Sequence, residues 1–143
     1  MNNSVRFGSK VKKIEVNDVG EFVTINTSDA NFYKNFKELL NWLETESAKA
    51  KKRETSTERS VLEKATESVD EFVSLSEQMN EKVDALFGAR ALQKAFPDTE
   101  VPTLDLGMEF VEAMIPFVNE FTRERNAQIT EKYNANRKGA NSK

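Results

Sequence analysis

The carboxylates of this chain come in close pairs, Asp70 beside Glu71 and Glu109 three residues before Glu112. At such spacing two carboxyl groups could share general acid and base work. A solvated helix face shows the same spacing, and the rest of the chemical inventory favours that plainer reading. Neither histidine nor cysteine occurs among the 143 residues, which removes the imidazole base, the thiolate nucleophile and the commonest transition-metal ligands. Carboxylate, lysine or tyrosine chemistry would remain, without a glycine-rich phosphate loop or a nucleophile elbow to go with it. The expectation is a protein that is not an enzyme and that holds no cofactor and no metal.

Charge and hydropathy narrow the partners. A formal net charge of −3 argues against nucleic acid as the main partner. The local basic cluster Lys49, Lys51, Lys52 and Arg53 reads as the charged end of a helix, complementing its dipole, because no aromatic residues are interleaved with it. No run of eighteen apolar residues is present, so no membrane-spanning segment is expected. What remains is apolar surface. Met79, Met108 and Met114 read first as core filler, although a groove rich in Met and Phe also suits apolar helices of varied sequence.

The element that positions Asp70, Glu71 and Met79 runs from Ser60 to Gly88. Leu62, Ala65, Val69, Phe72, Met79, Val83 and Leu86 alternate steps of three and four, and Ser76 alone interrupts them. This is a heptad seam on a helix expected from about Ser56 to Phe87, with Thr55 and Glu58 spaced as a capping box and Gly88 as a left-handed terminator. So narrow a stripe has to lie against another helix. Upstream, residues Val11 to Val16 and Glu21 to Ile25 flank Asn17-Asp18-Val19-Gly20 and read as a β-hairpin, either a packed flap or an edge strand that pairs between subunits. Thr27-Ser28-Asp29 caps a first helix whose apolar face carries Phe32, Phe36, Leu39, Leu40 and Leu43, with Trp42 beside it.

Downstream, Ala89 to Phe96 reads as a short helix before Pro97, and Thr103 caps a final helix. That helix bears two stripes, Leu104, Met108, Val111, Ile115 and Val118 beside Phe110, Met114, Phe117 and Phe121, which implies two neighbours. A kink is expected at Pro116. The fold class is mainly α: a bundle of three main helices and one short one with a small N-terminal β-hairpin. The expected divisions are 1–26 for the arm and hairpin, 27–133 for the helical domain and 134–143 for a disordered basic tail. The final helix is expected antiparallel to the seam helix.

Asp84, Leu86, Phe87, Gly88, Phe96, Leu104, Phe110, Phe117 and Val118 resemble a pattern found in tail assembly chaperones of phages and prophages of Gram-positive bacteria. Their pattern has an Asp-x-x-Phe-Gly turn, a short segment ending in Phe, a variable link and a helix with an aromatic core. The likeness spans about forty residues, and Pro97 stands where a glycine is common. The resemblance implies a small helical homo-oligomer that coats the tape measure protein in the cytoplasm of the infected host and is absent from the mature virion. On that reading Phe110, Met114, Phe117 and Phe121 would form the client groove, and Ile14, Val16, Phe22, Val23 and Ile25 on the hairpin would make oligomer contacts. The alternatives are a phage structural or scaffolding protein and a helical regulatory interaction protein.

Overall fold

The computed structural model describes residues 3–53 and 60–141. In chain order it contains β1 (Val11–Glu15), β2 (Phe22–Asn26), α1 (Ala30–Arg53), α2 (Val61–Phe87), α3 (Ala91–Ala95) and α4 (Leu104–Asn141). The mainly helical class with an N-terminal hairpin is as expected from sequence.

The strands pair antiparallel with Ile14 opposite Val23 and Lys12 opposite Ile25. Asn17 builds their turn: its Oδ1 accepts from the amides of Val19 and Glu21 at 3.0 and 3.1 Å. Gly20 takes φ +83° there, a value that suits a residue without Cβ. A hairpin this small is marginal alone. Val23 and Ile25 are buried on the helices, Asn17 Nδ2 donates to the Lys94 carbonyl, and Lys94 Nζ donates to that of Phe22.

The core is built on Phe87. Its ring meets Phe32, Phe36 and Phe110 edge-on, at centroid distances of 5.8, 6.2 and 5.2 Å, and so joins α1, α2 and α4. Trp42 is half-buried beside α2, with Lys82 Nζ 5.1 Å from its ring centroid.

Several local details differ from the sequence reading. Asp29, rather than the whole cluster, caps α1, its Oδ1 accepting from Asn31 N at 2.9 Å. Ser60 caps α2, accepting from Glu63 N, while the expected box at Thr55 and Glu58 lies outside the described residues. Gly88 has φ +103° and ψ 162°, an extended conformation open in practice to glycine alone, and the left-handed residue is Arg90. That pair of turns delays α3 to Ala91. Pro116 lies inside α4, as the sequence places it, and the helix continues past it. Pro116 faces solvent, where water can satisfy the carbonyl it leaves unpaired. The helix also continues through residues 134–141, where a disordered tail was expected.

The largest difference is the direction of α4. Leu104 N meets Ser76 Oγ at 2.9 Å, Gly107 lies against Met79, and Phe110 lies against Phe87. These contacts climb α2 and α4 in the same sense, so the two helices are not antiparallel where they touch. The cause is the link, which doubles back along α2. Asp84 Oδ1 accepts from Ala91 N, Gln93 Nε2 donates to Asn80 Oδ1 and to the Glu100 carbonyl, and Asn80 Nδ2 donates to the carbonyls of Ser76 and Pro102. Hydrogen bonds thus return the chain from the foot of α2 to its middle before α4 begins.

Candidate functional site

Ser76 divides α2. Below it the seam is filled: Met79 and Val83 are 0% exposed and Leu86 is 9%. Above it the same seam is bare, with Leu62 at 77%, Val69 at 60% and Phe72 at 44%, and Ala65 exposed between them. The reason is positional. α4 covers the seam only from its own first residue, and that residue is held at Ser76 by the serine hydroxyl, itself 3% exposed. A polar residue that looks like a flaw in the apolar stripe is therefore the attachment point of another helix, where it satisfies one of the orphan amides of the α4 N-terminus. Thr103 keeps the N-cap position, its carbonyl accepting from Gly107 N.

The bare segment is broader than a strict two-position stripe. Written as a heptad with Leu62 and Val69 at a and Ala65 and Phe72 at d, the flanking e and g positions are Val61, Thr66, Ser68, Val73 and Leu75, none of them charged. Val61 and Val73 are 85% and 45% exposed. Glu63, Lys64 and Asp70 fall on the outer face. The segment from Val61 to Leu75 is about 22 Å long at 1.5 Å per residue. Chemically it can do one thing, which is to lose water against another apolar helix face.

The residues assigned to partners from the sequence lie elsewhere. Phe110, Met114 and Phe121 are buried at 4%, 4% and 8%, and only Phe117, at 39%, reaches solvent. Phe110, Met114 and Phe121 belong to the core of their own chain, and Phe117 lies outside it. The hairpin set is divided as well. Val23 and Ile25 are core, Ile14 and Val16 pack half-buried against it, and Phe22 alone is exposed, under Lys13 Nζ at 4.5 Å. Contacts between copies through Val23 or Ile25 would have to open the core.

Sequence reasoning missed the anchor at the far end of α4. Arg125 Nε donates to the Thr27 carbonyl at 3.0 Å, Arg125 Nη2 donates to Thr27 Oγ1 at 2.9 Å, and Tyr33 OH donates to the same carbonyl at 2.8 Å. Burial holds the Tyr33 phenol above its usual pKa of 10.0, with Arg125 opposing the rise and Glu124 adding to it. Beyond Arg125 the side chains from Asn126 to Ala135 are all exposed. No single-residue signal marks Arg125, because the pairing crosses 98 positions of sequence. Among the described residues no cluster of three His, Cys, Asp or Glu could hold a metal ion, and no helix is long and apolar enough to cross a membrane.

These features define a helical bundle, closed at one end by a β-hairpin, that leaves half of a helix seam uncovered. The chain belongs to a family of unknown function, DUF6673, whose model matches residues 17–143. No curated protein and no solved structure matches it.

Proposed function

We propose that this is a helix-binding protein, and in particular a tail assembly chaperone that holds a phage tape measure protein through the bare half of the α2 seam. The observation that carries the reading is the change at Ser76 from a filled seam to an exposed one of the same heptad spacing. A long amphipathic helical client offers a matching stripe. The uncharged flanks of the seam tolerate clients of varied sequence, since nothing there demands a particular opposite charge. Two heptads give modest affinity per copy, so several copies on one client would bind by avidity and still be displaced during assembly. The sequence resemblance supports the choice of client, and the burial of Phe110, Met114 and Phe121 beside the exposure of Leu62, Val69 and Phe72 supports α2 over α4 as its site.

The test is co-expression with the tape measure protein encoded nearby, followed by size exclusion with light scattering. A soluble complex with several copies per client, weakened at least tenfold by Val69→Glu and unchanged by Phe117→Ala, is expected. A chain that stays apart from the client and is recovered in purified virions would sink the reading in favour of a structural role.

A further inference from the structure

We infer that the bare half of the α2 seam is closed, when no client is present, by the same segment of a second copy of this chain running antiparallel to it. The inference deepens the proposed function, on which it rests for the client, by naming what regulates access to the seam.

Direction follows from where α4 stops. A second α2 laid parallel would have to continue beside the segment below Ser76, which each copy has already covered with its own α4. An antiparallel partner avoids this, because its covered half passes beyond Val61 and away from the core of the first copy. Register follows from the heptad. Antiparallel coils place a positions opposite d positions, so Leu62 meets Phe72 of the partner and Ala65 meets Val69, and symmetry repeats both layers. Each layer joins a larger side chain to a smaller one. Parallel pairing would stack Phe72 on Phe72 beside an undersized layer of Ala65 on Ala65.

Charge permits the pairing. Thr66 and Ser68 straddle the two-fold axis and would each face their own copies, where a charged residue would be repelled. The seam is continuous with the interface between α2 and α4, so the partner helix extends a packing already present below Ser76. About 22 Å of one helix per copy lies at the small, transient end of protein interfaces. The dimer is therefore concentration-dependent and open to displacement by a longer client helix. Client and second copy compete for one surface.

Two properties of the chain make the test direct. It has no cysteine, and the positions nearest the axis are exposed. Sedimentation of the full chain over rising concentration should carry the mass from 16.3 kDa towards twice that value. Val69→Glu should hold it at the monomer with an unchanged circular dichroism spectrum. Mild oxidation should link Ser68→Cys into a dimer and leave Ser74→Cys, on the outer face, unlinked. A monomer at all concentrations, a dimer that survives Val69→Glu, or equal linking of both cysteine variants would overturn the inference. Adding the tape measure protein separates the two proposals. Reduced Ser68→Cys should bind it and the linked dimer should bind at least tenfold less. Equal binding of both forms overturns the competition. A dimer with the expected cross-links and no client binding in any form removes the chaperone reading and leaves the self-pairing in place.

Discussion

Gly107 sets how far up α2 the fourth helix can sit, and its replacement by alanine tests that placement. A Cβ at Gly107 would lie 2.5 Å from Met79 Cγ and 3.0 Å from its Cε. Met79 is 0% exposed, so it has no open direction in which to retreat. Two terms oppose each other. Overpacking of this kind costs about 1–3 kcal/mol, while alanine in a helix interior gains roughly 0.8–1 kcal/mol over glycine. The net expectation is a loss of up to about 2 kcal/mol. Urea unfolding followed by Trp42 fluorescence should show a lower midpoint at unchanged m value. A double-mutant cycle sharpens the test: once Met79→Ala has removed the obstructing side chain, Gly107→Ala should become neutral or stabilising. If Gly107→Ala alone raises the midpoint, the helices have room to spare and this contact does not fix where the seam is covered.

Three further outcomes are expected. Phe87→Ala should cost about 3–5 kcal/mol in the same unfolding assay, because its ring joins three helices, whereas Phe117→Ala, half out of the core, should cost under about 1 kcal/mol. Arg125→Ala should destabilise by about 1–3 kcal/mol through loss of both bonds to Thr27, and Arg125→Lys should not restore it, since one ammonium cannot reproduce the two-pronged geometry. The Tyr33 pKa is raised in the fold, so the folded chain holds that proton more tightly than the unfolded one. Its contribution is complete below pH 10.0 and is lost as pH rises through the folded value. Stability across that range should fall more steeply in the parent chain than in Tyr33→Phe, and equal slopes would contradict the burial of the phenol.

Periodicity carried most of the architecture. The spacing of Phe32, Phe36 and Leu39, and of Met79, Val83 and Leu86, is a local property that survives folding, and the residues named for those faces are buried. The turn at Asn17 and the glycine at 20 were legible for the same reason. Direction was not, because it depends on a link whose course is set by Asn80 and Gln93, two polar residues that carry no periodic signal. Which part of a stripe stays uncovered was not legible either. Sequence showed two stripes on the final helix and one on α2, but which stripe is left uncovered depends on where α4 begins, at the Ser76 hydroxyl and with Gly107 against Met79.

The upper half of α2 therefore poses a question about selection of residue types that the rest of the fold does not. Leu62, Val69 and Phe72 lie outside the core cluster, so polar side chains at these positions would leave the packing of α1, α3 and α4 intact and would keep the helix more soluble. Single exposed apolar residues are common and call for no cause. A row of them in heptad register, flanked only by uncharged positions, is a different observation, because random surface exposure has no period. The seam above Ser76 keeps the spacing of the buried seam below it. Helical spacing of that kind suits a second helix laid against it, and among the described residues α4 supplies one only from Leu104 onward, below Ser76.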